Sequence, residues 1–80
     1  MVERLKAAKK RVVGTKQTSK AVEKGEARIV YIARDSEKNV IETLEKLCKE
    51  QSVEIIYVDS MKQLGELCGI EVGAASAAIL

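Results

Sequence analysis

The segment A-R-I-V-Y-I-A, residues 27–33, carries the strongest strand signal in the chain. Its apolar residues follow one another without alternation, which is typical of a central strand covered on both faces. The segment V-E-I-I-Y-V, residues 53–58, predicts a second buried strand, so both tyrosines of the chain are expected to be buried. Residues 74–80 contain helix-favouring alanines but end on Ile-Leu, and we interpret them as a further buried strand. Arg11–Val13 is a short β-prone segment that completes the set.

Helical patterns occupy the segments before and between these strands. Their apolar residues recur at spacings of three and four, which place them on one face of a helix. Because helices and strands alternate along the chain, the sequence predicts an α/β fold, with helices on both faces of one small sheet and a single domain over residues 1–80. The predicted helices are Val2–Lys9, Lys16–Lys24, Glu37–Gln51 and one that begins after Ser60, with Met61, Leu64, Leu67 and Cys68 facing inward.

Capping residues set the expected limits of these helices. Thr15 can cap the helix that follows it, and Gly25 suits the position just beyond its end. Asp35 or Ser36 can cap the next helix. Ser60 opens the sequence S-M-K-Q, which matches a capping box at the start of the last helix.

The composition excludes most kinds of enzyme. The 80 residues make one small domain and contain no His, Pro, Trp or Phe. Without His the chain cannot form a Ser-His or Cys-His nucleophile pair, and it lacks the histidine ligands that most zinc sites require. Cys48 and Cys68 are expected to be ordinary core residues. We therefore predict a non-catalytic protein with no metal and no cofactor.

The hydropathy of the chain predicts a cytoplasmic protein without a membrane partner. The longest apolar run, residues 29–33, is far shorter than a membrane span, and the N-terminal residues lack the apolar core of a signal peptide. Reduced thiols are expected in that compartment.

The charge is unevenly distributed along the chain. The net charge is only +2, but residues 1–28 hold nine basic and three acidic side chains, a net +6, whereas residues 29–80 carry a net −4. Such asymmetry favours a polyanionic partner. The alternative is that the lysines are simply solvated on helix surfaces.

The segment G-T-K-Q-T-S-K, residues 14–20, is the first candidate binding site. Gly14 permits a sharp turn, and the amides at the start of the following helix can bind an anion. Lys16 and Lys20 are four residues apart, so they share one side of the helix, with Gln17 beside them. Such a surface can hold phosphates and contact base edges. The alternative is an ordinary lysine-bearing surface helix.

The segment L-G-E-L-C-G-I-E-V-G-A-A, residues 64–75, is the second candidate. Ile70 and Val72 flank Glu71, with glycines on both sides. Exposed aliphatic side chains in such a loop could pack on a bare base. The alternative is that Ile70 and Val72 are part of the core.

The same two segments carry a resemblance to a known family. V-G-T-K-Q-T-S-K-A-V-E-K-G (residues 13–25) and L-G-E-L-C-G-I-E-V-G-A-A-S (residues 64–76), with the strand at 27–33 and L-C-K-E-Q at 47–51, resemble the kink-turn RNA-binding ribosomal protein family. The chain is most similar to its short bacterial, YbxF-like members. Archaeal members usually have Asn-Glu where this chain has Lys16-Gln17, a substitution that the bacterial members share.

This resemblance implies a three-layer α-β-α sandwich with a small, mixed four-stranded sheet that binds kink-turn RNA. A kink-turn is a duplex bent sharply by a bulge beside tandem G·A pairs. In the family, the helix after Gly-Thr enters the groove at the G·A pairs, and the glycine-flanked loop packs on the bulge. The RNA-binding residues implied are Gly14, Thr15, Lys16, Gln17, Lys20, Ile70, Glu71 and Val72.

The predicted function is therefore recognition and stabilisation of kink-turn RNA by a monomer of ribosomal or ribosome-associated type. The RNA could be ribosomal RNA, a riboswitch or a small RNA, and the ribosome is a possible partner. One alternative is a protein-interaction module of the same fold without RNA binding. The other is a small enzyme that binds a phosphate at the helix start, and it requires a pocket lined by acids.

Overall fold

The computed structural model describes residues 10–80, so the predicted helix at Val2–Lys9 lies outside the described residues. Within residues 10–80, strands and helices alternate as the sequence predicts. The elements are β1 Arg11–Val13, α1 Thr15–Glu23, β2 Ile29–Ala33, α2 Lys38–Gln51, β3 Glu54–Val58, α3 Met61–Leu67 and β4 Ser76–Ile79.

The four strands form one mixed sheet in the order β1-β4-β2-β3. Strands β2 and β3 are parallel, as expected of a strand-helix-strand unit, whereas β4 pairs antiparallel with both β1 and β2. Helices α1 and α2 pack on one face of the sheet and α3 packs on the other. The predicted α-β-α sandwich with a mixed four-stranded sheet is therefore confirmed.

Apolar residues of β2 and β4 supply both faces of the core. The five residues of β2 are all buried, and they alternate between an α3-facing cluster with Tyr31 and an α1/α2-facing cluster with Val30 and Ile32. Strand β4 is also fully buried, and its alanines allow the helices to approach the sheet closely. Residues 27–33 and 74–80 are thus central strands, as their apolar runs predict.

Strand β3 departs from the prediction of a second buried strand. It lies at the edge of the sheet, and Val58 is its one fully buried residue. Tyr57 is 37% exposed, so the expectation that both tyrosines are buried is wrong for this one. Its hydroxyl donates to Glu45 on α2, and the Arg34 guanidinium lies 5.1 Å from its ring centre. An apolar run alone does not show whether a strand has neighbours on both sides.

Gly25 lies just beyond the end of α1 with a φ of +73°, as predicted, but two of the three predicted N-terminal caps are wrong. Thr15 is the first residue of α1, and Gly14 holds the capping position instead. Glu37 precedes α2, while the Ser36 hydroxyl donates back to the carbonyl of Ala33 (2.7 Å). The Asp35 carboxylate accepts from the Met61 amide (2.7 Å), so it caps α3 rather than α2.

The prediction for Ser60 is confirmed. Its side chain accepts a hydrogen bond from the amide of Gln63 (3.1 Å) at the start of α3. Of the four residues expected to face inward on this helix, Leu64 and Cys68 are buried and Leu67 is half-buried. Met61 is 36% exposed, so the expectation that it faces inward is wrong.

The two cysteines are free thiols in the core, as predicted. Burial raises the pKa of Cys48 to about 11, and burial also raises the pKa of Cys68, against a smaller lowering effect of the Arg11 charge. The thiolate is the reactive form, and the raised pKa keeps the Cys48 thiol protonated near neutral pH. We expect a disulfide reagent to modify the native protein slowly at both thiols and the urea-unfolded protein quickly. A fast-reacting thiol in the native protein would contradict this burial.

Candidate nucleic-acid interface

The two candidate segments lie at the same end of the sheet. Strand β1 ends where β4 begins, since Val13 pairs with Ala77 and the Gly14 amide donates to the Ser76 carbonyl (2.8 Å). The Ser76 hydroxyl also donates to Thr15 Oγ1 (3.4 Å). The start of α1 is therefore joined to the residue that directly follows the glycine-flanked loop.

Gly14 turns the chain from β1 into α1. Its φ is +99°, a backbone conformation that side chains with a Cβ rarely adopt, so this turn requires glycine. The turn directs Thr18 and the later Ala21 and Val22 into the protein, where all three are buried. The opposite side of the helix presents the remaining candidate residues, Lys16, Gln17 and Lys20, to solvent.

The electrostatics of the α1 start favour an anion. The Thr18 amide donates to the Gly14 carbonyl (2.9 Å), and the amides before it point out of the helix start with partial positive charge. The first turn has no acidic residue, and Lys16 adds a full positive charge to it. A lysine at this end of a helix disfavours the helix, whereas a bound phosphate would balance both charges.

The glycine-flanked loop presents its apolar residues to solvent. Ile70 is 36% and Val72 is 70% exposed, and Glu71 between them is exposed as well. The alternative that Ile70 and Val72 belong to the core is therefore wrong. Exposed aliphatic side chains suit a partner with a flat apolar surface.

The loop is fixed by backbone contacts with α3. The Ile70 amide donates to the Gly65 carbonyl (3.0 Å), and the Ala74 amide donates to the Met61 carbonyl (3.0 Å). Gly65 lets the Val72 backbone lie directly on the helix, since a Cβ at Gly65 would overlap the Val72 carbonyl oxygen. The exposed side chains of the loop thus stand on an ordered backbone.

Two contributors to this surface were missed in the sequence. Met61 extends the apolar surface of the loop, because a Cβ at Gly73 would lie 3.2 Å from the Met61 Cβ. Gly65 lies in the interior of a helix, where glycine costs about 1 kcal/mol of stability relative to alanine. A glycine at such a position in the sequence indicates a close packing contact.

A concavity of about 510 Å³ lies away from both segments, at the opposite end of the sheet. Its walls include Lys10 and Arg28, with Glu26 as the one acid among the lining residues that the structure describes. This lining does not supply the acids that the enzyme alternative requires. Within residues 10–80, no helix has the length and hydrophobicity needed to cross a bilayer.

The fold and this surface define a small α-β-α protein whose exposed lysines, helix start and apolar loop share one end of the sheet. Residues 1–80 match the Ribosomal protein L7Ae/L30e/S12e/Gadd45 family, and the chain belongs to that family. The predicted family is thereby confirmed.

Several bacterial relatives span nearly the same length. An RNA-binding protein of Caldanaerobacter subterraneus subsp. tengcongensis is 52% identical over 69 residues, which cover 86% of this chain and 84% of the relative. The RNA-binding protein YbxF of Geobacillus stearothermophilus is 46% identical over 98% of this chain and 95% of its own length. These relatives are named for binding and not for catalysis, in agreement with the prediction of a non-catalytic protein.

Solved structures share the fold. The 15.5 kDa RNA-binding protein of Giardia lamblia superposes with a TM-score of 0.85 at 25% identity, over 98% of this chain and 66% of that one. A protein of unknown function from Bacillus halodurans also gives a TM-score of 0.85, at 19% identity over 98% of this chain and 78% of that one.

Proposed function

We propose that this protein binds kink-turn RNA and stabilises its kinked form. The observation that supports the proposal is that Gly14 and Thr15, at the start of α1, are hydrogen-bonded to Ser76, directly after the glycine-flanked loop. Helix α1 and this loop are the segments in which the family resemblance locates RNA contacts. Membership of the family and the names of the relatives support RNA as the ligand.

Helix α1 contributes the polar contacts. Its exposed Lys16, Gln17 and Lys20 enter the groove at the tandem G·A pairs. Lysine donates to the O6 or N7 of guanine, and glutamine both donates and accepts. Gly14 and Thr15 bring the backbone amides of the helix start close to a phosphate.

The loop contributes the apolar contacts. Ile70 and Val72 pack on the bulged nucleotides, whose unstacked bases expose flat apolar faces. The protein uses aliphatic rather than aromatic side chains for this contact. Of its two tyrosines, Tyr31 is buried and Tyr57 bonds to Glu45 on α2. Glu71, which lies between Ile70 and Val72, accepts hydrogen bonds from base or sugar donors.

Binding favours the kinked RNA because the site matches that shape. Kinking brings phosphates close together, so a positively charged surface binds the kinked form better than the extended one. Differential affinity of this kind shifts the RNA population toward the kink. No covalent chemistry, metal or cofactor is part of this function.

The RNA is a kink-turn in ribosomal RNA, a riboswitch or a small RNA of the cytoplasm. A monomer is sufficient, because both contact segments come from one chain. Association with the ribosome follows if ribosomal RNA supplies the kink-turn.

The test is a titration against two labelled RNA duplexes at the same salt concentration. One duplex contains a standard kink-turn, and the other has Watson–Crick pairs in place of its tandem G·A pairs. We expect tight binding to the first, and weak, strongly salt-dependent binding to the second. A fluorescent donor and acceptor at the two RNA ends would report kinking in the same titration.

Equal affinity for the two RNAs would contradict kink-turn recognition and leave a non-specific polyanion surface. Absence of binding to both would favour the protein-interaction alternative. In that case, charge reversal at Lys16 and Lys20 would leave capture of the partner unchanged.

A further inference from the structure

We propose that Arg11 is a positioning residue that holds the glycine-flanked loop in register with the start of α1. This inference rests on the proposed function, since the two segments that Arg11 joins are the two proposed RNA contacts. Arg11 itself is outside the set of residues for which RNA contact is proposed.

The Arg11 side chain connects β1, which leads into the start of α1, to the end of α3, where the loop begins. Arg11 lies in β1, three residues before Gly14, and its side chain is directed toward α3 on the other side of the sheet. Its Nη2 donates to the backbone carbonyl of Cys68 (2.8 Å), at the end of α3 where the loop begins. An added Cβ at Gly69 would lie 3.8 Å from the same nitrogen.

The end of α3 is a favourable place for a guanidinium. The last carbonyls of a helix have no intrahelical donor, and they carry partial negative charge. A positively charged donor therefore satisfies the Cys68 carbonyl better than a neutral group would. The bond spans 57 residues of sequence, so it fixes a long-range placement rather than a local turn.

Arg11 adds an attachment of the first loop residues to β1, which is distinct from their backbone bonds to α3. Three backbone bonds to α3, from the amides of Gly69, Ile70 and Ala74, hold the loop along the helix. The Gly14–Ser76 bond holds only the far end of the loop to the start of α1. Arg11 supplies the second attachment to β1, at the near end, so Ile70–Val72 is fixed at both ends relative to Lys16 and Lys20.

The test compares Arg11→Met with Arg28→Met. Both changes remove one guanidinium and keep an apolar stem, so they change the net charge equally. Arg28 is exposed at the start of β2, at the end of the sheet away from the proposed interface. We expect Arg11→Met to lower the affinity for kink-turn RNA about three- to tenfold, the effect of one lost positioning hydrogen bond. Arg28→Met should bind as the wild type does.

The salt dependence separates positioning from direct phosphate contact. If Arg11 positions the loop, the slope of log affinity against log salt concentration is the same in Arg11→Met as in the wild type. A slope that falls by about one would show that Arg11 contacts a phosphate and would overturn the inference.

Amide hydrogen exchange tests the loop without RNA. We expect faster exchange at the Ile70 amide in Arg11→Met than in the wild type or Arg28→Met, with no change at the Val30 amide in the core. Unchanged exchange at Ile70 would overturn the inference, whatever the RNA affinity. If the wild type fails to distinguish the two RNAs, the proposed function fails, whereas the exchange result still decides whether Arg11 holds the loop.

Discussion

Replacing Gly65 with alanine is expected to displace the 70–72 loop and to weaken kink-turn RNA binding by about tenfold or more, equivalent to at least ~1.4 kcal/mol. The new Cβ would overlap the Val72 carbonyl oxygen and lie 3.2 Å from the Gly73 Cα. Both obstacles are backbone atoms, so no side chain can rotate away. Alanine favours a helix over glycine by about 1 kcal/mol, but overpacking at a close contact costs about 1–3 kcal/mol.

The measurement pairs RNA affinity with urea unfolding, and Gly25→Ala is the matched control. Gly25 also tolerates alanine poorly, because its φ is +73°, but among the described residues nothing lies within 4 Å of the added Cβ. We expect both variants to lose folding stability, and Gly65→Ala alone to lose affinity once each protein is fully folded. Wild-type affinity in folded Gly65→Ala would show that the loop position does not matter for binding.

The fold was largely predictable because its signals are local. The apolar run at residues 27–33 is rich in β-branched and aromatic residues and is typical of a strand covered on both faces, and the structure confirms it. The capping box at Ser60 is likewise readable, because donor and acceptor are three residues apart.

The errors arise where a tertiary partner competes with the local one. Asp35 precedes a helix and has the right side chain to cap it, but its carboxylate caps α3 instead, 26 residues away. Ser36 likewise donates to the preceding strand. The exposure of Tyr57 depends on strand order, since β3 is at an edge and β2 is not. A single sequence contains the residues for either outcome and does not rank them.

The candidate site likewise combines features that the local sequence predicts with features that depend on tertiary contacts. The exposed lysines of α1 follow from helical periodicity once the buried face is known. Ile70 and Val72 have side chains suited equally to a core, and their exposure is decided by the close approach of the loop backbone to Gly65. That contact joins a helix to a loop that has no periodicity of its own, so the sequence left both alternatives open.

Replacing Lys20 with alanine is expected to cost about 1–3 kcal/mol of binding to kink-turn RNA and to reduce the preference for tandem G·A pairs. Lys20 is exposed on α1, on the same side as Lys16, where the proposed contact is a base edge rather than a phosphate alone. With the kink-turn RNA, Lys20→Ala loses the whole contribution of the base-edge contact. With the Watson–Crick control RNA, the same substitution has little effect. The ratio of the two affinities should therefore fall more than the affinity for the control RNA.

Lys49→Ala is the control that separates a base contact from general attraction. Lys49 is an exposed lysine in the last turn of α2, so its loss changes the net charge equally. The carboxyl end of α2 is distant from the proposed interface, because the chain enters β3 there at the opposite end of the sheet. Alanine is also a strong helix former, so neither variant should lose much folding stability. If Lys20→Ala and Lys49→Ala weaken binding to both RNAs by the same small factor, Lys20 acts only through its charge, and the placement of α1 in the groove at the G·A pairs is wrong.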